Sequence, residues 1–424
     1  MAVTNDLLTD QRVDRSCRTL REAGYEVTLI GRRLGNTPVF GKHSQDVCSH
    51  SKEGTYPAMK ARPYKCVRMR LLFRRSVWFY AEYNVRLLLR LLTMKADAFY
   101  ANDSDTLLAC CWAARLRRRT SAGDKVKLLF DAHELFPDVP ELVDKPRVRR
   151  VWQWVERRCL PRVDAAFTVS QSVAEEYKRR YGVEMTVVRN LPLKIENGKL
   201  KIERHTPVFD HPSQEGTLPH PDNSQFSILN SQLILYQGAV NVGRGVRELT
   251  DVMGRLPQCR LVVAGDGDLL EDMKTYAATL SWTDRIVFLG RVCPEELHTL
   301  TAKADLGVCL LEDLGQSYRC ALPNRVRDFA QAGVPLVATG FVEIRRVLEE
   351  YGIGTPTEPC PQMKEGKAYE QYLDRLADTI AETLHRWQTM PSEERERRFA
   401  RARKELCWEN EKKILMDKID AIIN

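Results

Sequence analysis

The sequence lacks an apolar run long enough to cross a membrane. Its leucine-rich stretch at residues 87–94 is interrupted by Arg90, whereas a membrane span needs about 18 consecutive apolar residues. The opening residues, MAVTNDLLTD, place acids where an export signal has a basic region and an apolar core. We therefore expect a cytoplasmic protein.

Paired cysteine motifs are also missing. The chain has 12 cysteines but no CxxC spacing; Cys110 and Cys111 are adjacent, and the others are scattered through apolar segments. This pattern predicts buried, reduced thiols and disfavours a zinc site. The sequences NDSD and GDGD contain paired aspartates, but we interpret Asp105 and Asp268 as helix caps and predict no metal.

Two common nucleotide-binding loops are absent. There is no GxxxxGK[ST] loop, which excludes a P-loop nucleotidase. There is also no GxGxxG followed by the acid that a dinucleotide fold needs, which disfavours a nicotinamide cofactor.

What the sequence does contain is typical of a two-domain globular protein with unevenly distributed charge. Its 424 residues are 43% hydrophobic and 29% charged, and a chain of this length usually forms two domains. Residues 1–200 carry 37 Lys and Arg against 23 Asp and Glu, whereas the remainder is net acidic. The basic first part indicates an anionic partner, such as a membrane, a nucleic acid or a phosphorylated substrate.

Apolar strands alternate with amphipathic helices on both sides of a polar segment. This alternation predicts an α/β fold with two doubly wound parallel sheets. The predicted divisions are a domain at residues 1–192, a polar linker at 193–230, a second domain at 231–395 and a C-terminal helical segment at 396–424. In the first domain the predicted strands are Met1–Thr4, Glu26–Ile30, Ala96–Ala101, Val126–Ala132, Ala165–Val169 and Thr186–Arg189, and residues 31–62 are predicted to form a surface loop.

Two stretches of the second domain predict an anion site. In CALPNRVRDFAQAGVPLVATG, Pro323 opens a helix whose free N–H groups and dipole attract anions, and Asp328 lies about 1.4 turns further on. In LILYQGAVNVGRG, Arg244 follows a glycine-rich turn, where a guanidinium can hold two phosphate oxygens. Plain strand–helix architecture explains the first stretch taken alone, but together the two favour a site for a diphosphate and a ribose.

The order of these motifs resembles that of the retaining glycosyltransferases of family 4. Besides the two stretches above, VVAGDG and VFLGRV resemble the donor domain of that family, and NDSDTLLAC, LLFDAHELFPDVPEL, DAAFTVSQSVAEEYKRRYG and VVRNLP resemble its acceptor domain. The resemblance implies the GT-B fold, in which two Rossmann-like domains face a central cleft and the last helix crosses back to the N-terminal domain. It also implies a nucleotide-diphosphate-sugar as co-substrate, with no metal and no separate cofactor.

Individual residues are assigned by the same resemblance. Arg244 matches the family's basic residue on the donor diphosphate, and Asp328 matches the second acid of its E-x7-E motif. Two positions depart from the family pattern, because Cys320 stands in place of the first glutamate and Ala239 in place of a further arginine. The remaining donor-side candidates, some of them substitutes for these losses, are Leu322, Pro323, Asn324, Arg325 and Arg291.

His133, in FDAHELF, occupies the position where the family places a histidine directed at the donor sugar. A histidine that pairs with Asp131 or Glu134 for structural reasons would give the same sequence, but the carboxyl end of a strand faces the cleft, which favours the functional interpretation. The acceptor-side candidates are Asp6, Asp105 and Glu134, and Asp138 is a further residue that can shape this side.

Residues 60–95 carry ten Lys and Arg and one acid, Glu82, interleaved with aromatic residues and leucines. Such a segment is typical of a helix in a lipid headgroup layer, although a core helix with a basic solvated face has the same composition. Nucleic acid is disfavoured as a partner, because no recognised nucleic-acid-binding motif accompanies the patch. The last predicted helix, Ser392–Ile422, has an apolar face with Trp408 that suits packing on the first domain.

These observations predict a cytoplasmic glycosyltransferase, peripheral on the inner face of the cell membrane. It would move a sugar, with retention, to a glycan or lipid-linked acceptor in cell-surface polysaccharide biosynthesis. Three alternatives stay open. They are an inverting GT-B enzyme with His133 or Asp105 as base, a degenerate module that binds nucleotide or glycan without turnover, and an anion-binding adaptor built on residues 60–95.

Overall fold

Residues 1–5, 7, 10–33, 62–73, 76–120, 125–193 and 231–423 are described by the structure, a computed structural model. They form two α/β units, each built on a parallel sheet. We call residues 1–193 the N-terminal unit and residues 231–405 the C-terminal unit. Most of the predicted loop at 31–62 and nearly all of the predicted linker at 193–230 lie outside the described residues.

The sheet of the N-terminal unit is parallel, and the first residues of the chain lie at its centre. Ala2 bridges β1 and β3, because its N–H donates to the Tyr100 carbonyl at 2.9 Å and the Val3 N–H donates to the Ile30 carbonyl at 2.9 Å. The order is β2-β1, then Ala2, then β3-β4-β5-β6. The strands are β1 (Thr28–Arg32), β2 (Lys65–Met69), β3 (Ala98–Asn102), β4 (Lys127–Ala132), β5 (Ala165–Thr168) and β6 (Thr186–Val187).

Helices cover both faces of this sheet. Successive residues of β3 and β4 point to opposite faces, so Phe99 and Phe130 enter one apolar cluster while Tyr100 and Leu129 enter another. Burial on both sides explains why these strands are apolar throughout rather than alternating. The helices are α1 (Gln11–Glu22), α2 (Ser76–Thr93), α3 (Ser104–Thr120), α4 (Pro146–Cys159) and α5 (Gln171–Tyr181).

The C-terminal unit contains a six-stranded parallel sheet with the order β12-β11-β10-β7-β8-β9. Its strands are β7 (Gln232–Gln237), β8 (Cys259–Ala264), β9 (Ile286–Gly290), β10 (Leu306–Cys309), β11 (Leu336–Thr339) and β12 (Gly354–Thr357). Its helices are α6 (Val246–Val252), α7 (Leu270–Ala277), α8 (Pro294–Ala302), α9 (Gln316–Arg319), α10 (Asn324–Ala332), α11 (Val342–Tyr351), α12 (Lys367–Thr389) and α13 (Ser392–Glu405).

The strand order reverses between β7 and β10. The chain enters at β7, runs outward through β8 and β9, and then returns to the other side of β7 as β10. In an open parallel sheet, the crevice outside the carboxyl ends of the strands at such a switch point is the usual ligand site. The loops after β7 and β10 are therefore where a ligand of this unit is expected.

The last helix, α14 (Trp408–Ile423), returns to the N-terminal unit and packs on α1 and β5. The Trp408 indole N–H donates to the Thr19 hydroxyl at 3.1 Å. The buried Glu411 carboxylate accepts hydrogen bonds from Arg189 Nε at 2.8 Å, Nη2 at 2.7 Å and the Arg189 backbone N–H at 2.7 Å. One helix thus joins the end of the chain to its beginning.

Several predicted elements differ from the observed ones. Residues 60–95 do not form one helix, because Lys65–Met69 pairs with β1 as an edge strand and α2 begins only at Ser76. The predicted helix Ser392–Ile422 is two helices, α13 on the C-terminal unit and α14 on the N-terminal unit, so the predicted division at 395 falls inside α13.

The two predicted aspartate caps are wrong. Helix α3 begins at Ser104, which places Asp105 inside its first turn, and α7 has Leu269 at its N-cap with no side-chain cap. None of the described helices is both long and apolar enough to span a membrane. In the same part of the chain all eleven cysteines are free, and nine of them are buried.

Candidate active site

The loop after β7 is a close-packed glycine turn at the switch point. Gly238 has φ +125°, a conformation that favours glycine. A Cβ on Gly265 would lie 1.7 Å from the Gly238 carbonyl oxygen, so position 265 also excludes a side chain. The loops after β7 and β8 therefore lie against each other, and they leave their backbone accessible from the cleft.

Two arginines meet at this turn, one from the loop and one from α10. The Arg244 guanidinium lies 5.0 Å from the centre of the Tyr318 ring, and the buried Arg325 guanidinium lies 4.5 Å from that of Tyr236. Within the described residues, Arg244 Nε and Arg325 Nη1 are buried without a hydrogen-bond partner. Unpaired buried guanidinium donors are costly unless an anion binds them.

Arg325 lies beside the loop after β7, in which Ala239 stands in place of the family's arginine. Its Nη2 lies 3.3 Å from where a Cβ of Gly238 would be, which puts the cation directly against the turn. Position 239 contributes only backbone here, because its carbonyl accepts the Tyr236 hydroxyl at 2.6 Å. The geometry supports the interpretation of Arg325 as a substitute for the missing arginine.

Helix α10 directs its N-terminus at the same place. Pro323 is the N-cap, one residue before the predicted first turn, and Leu322 and Pro323 are half-buried while Asn324 is exposed. Asp328 lies one turn in, and its Oδ2 accepts from Gln237 Nε2 at the end of β7 at 3.4 Å. Burial raises the pKa of Asp328, although Arg327 and Arg15 act in the opposite direction. Among the described residues, the Asp328 carboxylate thus has one long hydrogen bond, from Gln237.

His133 is held between two aspartates at the end of β4. Its backbone N–H donates to Asp103 Oδ1 at 2.8 Å, and its Nδ1 lies 3.4 Å from Asp103 Oδ2. Its Nε2 lies 3.6 Å from Asp131 Oδ2, and Asp131 is bound in turn by Arg12 through contacts of 2.6 and 3.0 Å. Burial alone would lower the pKa of His133, but Asp103 and Asp131 outweigh it and raise that pKa to about 9. The raised pKa favours the protonated imidazole, in which both ring nitrogens are donors, although burial also raises the pKa of Asp103, to about 8.

The predicted acceptor-side residues have different surroundings. Asp105 is buried and accepts from the Thr4 hydroxyl, and burial raises its pKa to about 7. Glu134 is exposed, and partial loss of water together with Glu141 raises its pKa, although His133 and Arg244 act in the opposite direction. Asp138 is occupied by Arg149 and Arg180, which gives it a structural role. Asp6 lies outside the described residues.

The two remaining donor-side candidates, Cys320 and Arg291, have different surroundings. The Cys320 thiol is buried in the apolar cluster of the N-terminal unit, and the Cys320 carbonyl accepts from the Ser170 hydroxyl at 3.0 Å. The structure therefore does not place Cys320 as a replacement for a carboxylate in the cleft. Arg291 is exposed and follows β9 at the same edge of the sheet as the glycine turn.

Three residues of the site were not predicted as functional: Asp103, Arg12 and Tyr318. Asp103 adopts φ +60°, rare for a residue with a side chain, and its backbone N–H donates to the Asp131 carbonyl at 2.9 Å. A signal existed in NDSD, but only the pairing of β3 with β4 brings Asp103 to His133. Across the described residues, no cluster of three or more His, Cys, Asp or Glu side chains is arranged to hold a metal ion.

Two family models match this chain, one in each unit. The model of Glycosyltransferase Family 4 matches residues 11–191, and that of Glycosyl transferases group 1 matches residues 231–366. A search of curated protein sequences gives no match.

Several solved structures share the fold at low sequence identity. Anabaena HepE, solved with UDP, has a TM-score of 0.64 at 13% identity over 99% of this chain and 98% of its own. Sucrose-phosphate synthase from Thermosynechococcus elongatus has a TM-score of 0.62 at 16% identity over 96% and 92%. The lipopolysaccharide outer core galactosyltransferase WaaB has a TM-score of 0.61 at 13% identity over 99% and 98%.

Two parallel sheets that face one cleft, with a returning last helix, define a GT-B glycosyltransferase, as the sequence predicts. The chain thus carries the two domains of the family 4/group 1 GT-B glycosyltransferases, the first at residues 11–191 and the second at 231–366. The individual site residues stay predictions.

Proposed function

We propose that this protein transfers a sugar from a uridine-diphosphate-sugar to a glycan or lipid-linked acceptor with retention, in the synthesis of cell-surface polysaccharide. The choice of uridine is supported by HepE, which was solved with UDP and with UDP-glucose. The choice of pathway is supported by WaaB, whose name places it in the lipopolysaccharide outer core.

The observation that carries the proposal is a pair of guanidinium groups at the switch point, each with one buried nitrogen that has no hydrogen-bond partner among the described residues. Arg244 and Arg325 approach one glycine turn from two elements, and both keep buried nitrogen atoms free. Two cations beside the N-terminus of a helix suit the two charges of a diphosphate. Asp328, next to Gln237, is then the acceptor for the ribose hydroxyls.

In this mechanism the protein acts mainly by stabilising charge on the leaving diphosphate. As the bond between the sugar and the diphosphate breaks, negative charge grows on the phosphate oxygens that Arg244 and Arg325 hold. The departing phosphate oxygen takes the proton of the acceptor hydroxyl, which attacks from the same face. Protonated His133 positions the sugar by donating hydrogen bonds, and closure of the cleft keeps water out.

The two arginines also make a metal ion unnecessary for charge neutralisation, so we propose that transfer needs no divalent cation. Activity in the presence of excess EDTA tests this point directly. Equal rates with and without the chelator agree with it, and a loss that Mg²⁺ restores contradicts it.

Transfer itself is tested by product analysis. The protein is incubated with UDP-glucose, UDP-galactose or other UDP-sugars and a panel of glycan and lipid-linked acceptors. We expect release of UDP and a product whose anomeric proton shows the configuration of the donor. The inverted anomer would favour a base mechanism; the raised pKa of His133 disfavours that residue as the base and leaves Asp105 as the candidate. Donor binding without any turnover would favour the degenerate module.

We further propose that the protein works in the cytoplasm at the inner face of the cell membrane. On α2 one stripe of the exposed face is apolar, with Trp78, Val85 and Leu89 each more than half exposed. On α4, Val151 and Trp154 are also more than half exposed, and they share one face of the helix with Arg147 and Arg150. Exposed tryptophans among arginines suit a layer of anionic headgroups.

The two helices are neighbours, because the Tyr80 and Trp152 rings pack edge to face with centres 5.0 Å apart. We call the exposed faces of α2 and α4 the apolar-basic surface. It supports a lipid-linked acceptor, since docking there would hold the enzyme beside its substrate. An adaptor that used only this surface would not depend on Arg244 or Asp328 for any activity.

A further inference from the structure

A second cluster of arginines lies where the two units meet, on the other side of Asp328 from the proposed diphosphate site. It consists of Arg12 and Arg15 from α1, Arg189 from the segment after β6, and Arg327 from α10. Two of these cations are neutralised, Arg12 by Asp131 and Arg189 by Glu411. The other two are not.

Arg15 and Arg327 are joined across the boundary by two asparagines. Arg15 Nη2 donates to Asn190 Oδ1, Asn190 Nδ2 donates to Asn324 Oδ1 at 3.1 Å, and Arg327 Nη2 donates to the same Asn324 oxygen. This series of hydrogen bonds therefore connects the N-terminal unit to the first turn of α10. Asn324 is exposed and Arg15 half-buried, so this part of the cluster is in contact with solvent.

Each of the two guanidinium groups has a buried nitrogen without a partner. Arg327 is 2% exposed, and among the described residues neither Arg15 Nε nor Arg327 Nε has a hydrogen-bond partner, nor does either side chain form an ion pair. Burial and the nearby cations lower the pKa of Arg15 to about 10 and that of Arg327 to about 9, although Asp328 opposes this. Within the described part of the chain, the two guanidinium groups therefore lack a carboxylate that would neutralise their charge.

This cluster is distinct from the proposed diphosphate site. Arg325 and Arg327 are two residues apart on one helix, so their side chains diverge by about 200°. Arg325 faces Tyr236 and the glycine turn, whereas Arg327 faces Asn324 and the cluster with Arg15. Asp328 lies between them.

We propose that Arg15 and Arg327 form a second anion site, which binds a phosphate or carboxylate group of a substrate other than the donor diphosphate. The assignment of that anion to a substrate rests on the proposed function, whereas the binding of an anion does not. An acceptor that carries a sugar phosphate or a uronic acid has the required chemistry, and so does a donor whose sugar is a uronic acid.

The test is calorimetric titration with inorganic phosphate at constant ionic strength. It is done first with UDP saturating, and then without nucleotide in the Arg244→Gln, Arg325→Gln double variant, where the diphosphate site is removed. We expect phosphate to bind in both cases. Arg327→Gln and Arg15→Gln should each raise the phosphate Kd about tenfold or more, since each removes a charged hydrogen bond.

The matched control is Arg18→Gln, one turn further along α1, where the side chain is more than a third exposed and paired with Asp14. It should leave the phosphate Kd unchanged. Arg327→Lys, which keeps the charge, should retain most of the binding. Arg15 is half-buried on a surface helix, so its variant reports on the site even where Arg327→Gln destabilises the fold.

Thermal unfolding gives an independent measurement. Phosphate stabilises many proteins without binding a site, so only the difference between proteins counts. The Tm rise with phosphate should be larger in the wild type and Arg18→Gln than in Arg15→Gln and Arg327→Gln.

Different results separate the possible outcomes. Competition between phosphate and UDP, or equal phosphate binding in all variants, would overturn the second site while leaving the proposed donor site intact. UDP that fails to bind, with phosphate still bound in the double variant, would count against the proposed function alone. If Arg327→Gln weakens the binding of UDP-glucuronic acid but not that of UDP-glucose, the anion belongs to the donor sugar. If the binding of both donors is unchanged, the anion belongs to the acceptor.

Discussion

At the scale of single residues, the protonation of His133 is set by the two strands beside it. Asn102 at the end of β3 pairs with Asp131 at the end of β4, so Asp103 and His133 follow at the same edge. The sequence was sufficient to single out His133 from its place after an apolar strand. It was not sufficient for Asp103, because only the pairing of distant segments brings this carboxyl to the imidazole.

The raised pKa of His133 predicts a pH-dependent stability. Because the folded pKa, about 9, lies above the ordinary value of 6.5, the stabilisation is complete below pH 6.5 and is lost as the pH rises through 9. We expect the free energy of unfolding of the wild type to exceed that of His133→Gln at pH 6. This difference should be about 2–3 kcal/mol larger at pH 6 than at pH 9. Chemical unfolding of both proteins across this range measures the difference.

The exposed His385 on α12 provides the control, since His385→Gln should show no such trend. A gap between wild type and His133→Gln that stays constant from pH 6 to pH 9 would mean that Asp103 and Asp131 do not hold a proton on the imidazole.

At the scale of elements, the helix ends that carry local signals could be predicted, and those fixed by packing could not. Helix α1 begins after Asp10, whose side chain accepts from the Val13 N–H at 3.1 Å, and α10 ends at Gly333 with φ +77°. The break between α13 and α14 has no glycine or proline. It exists because Leu406 and Cys407 are buried between the two units.

Helix α5 contacts the C-terminal unit at its first turn. Its first turn receives a carboxylate from the other unit, because Glu343 on α11 accepts from the Ser172 N–H at 2.8 Å and from the Ser172 hydroxyl. A negative charge at a helix N-terminus is worth about 0.3–1 kcal/mol, and more when partly buried. We expect Glu343→Gln to open the cleft and to increase the radius of gyration in X-ray scattering.

Glu349→Gln on the exposed face of the same helix is the matched control, and it should scatter like the wild type. Identical scattering profiles for Glu343→Gln and the wild type would show that this contact does not contribute to closure.

The apolar-basic surface predicts binding to anionic bilayers. Trp78 is 63% exposed and Trp154 is 53% exposed, and burying an indole in the headgroup region supplies apolar contact that lysine and arginine alone do not. We expect the protein to sediment with vesicles containing phosphatidylglycerol but not with neutral ones, and Trp78→Ser with Trp154→Ser to abolish most of this binding.

Val342→Ser removes an equally exposed apolar side chain from the C-terminal unit and should leave sedimentation unchanged. Equal sedimentation of the tryptophan double variant and the wild type would place the lipid contact elsewhere or exclude it.

At the scale of the whole molecule, α14 couples the two ends of the chain. The Glu411 side chain is 1% exposed and its partner Arg189 is 33% exposed. Removing one partner leaves an uncompensated cation, and partial exposure of Arg189 reduces the cost from that of a fully buried pair. We expect Glu411→Ala to lower the free energy of unfolding by about 2–3 kcal/mol.

Asp417→Ala, on the exposed face of the same helix, should change the free energy of unfolding by less than about 0.5 kcal/mol. Urea unfolding of the three proteins makes the comparison. A Glu411→Ala protein as stable as Asp417→Ala would show that α14 does not depend on this ion pair.

The two-unit architecture and the switch-point location of the site could be predicted from alternating strands and helices together with the two anion-binding stretches. The role of each departure from the family pattern could not. In the sequence Ala239 and Cys320 suggest a weakened site, whereas in the structure Arg325 lies against Gly238 and the Cys320 thiol is buried in the apolar cluster of the N-terminal unit. The positions of these side chains depend on how the loops pack together, and the spacing of residues along the sequence does not give that packing.

The most direct test of the donor site is calorimetric binding of a panel of nucleotide diphosphates and their sugars to the wild type and to three variants. We predict that nucleotides of one base bind most tightly. Arg244→Gln and Arg325→Gln should each lower that affinity about 10- to 100-fold, and Asp328→Ala should lower it as well. Lys303→Gln, which removes an exposed cation at the end of α8, should bind like the wild type. Absence of binding to any nucleotide by the folded wild type, or equal affinities in all variants, would contradict the account.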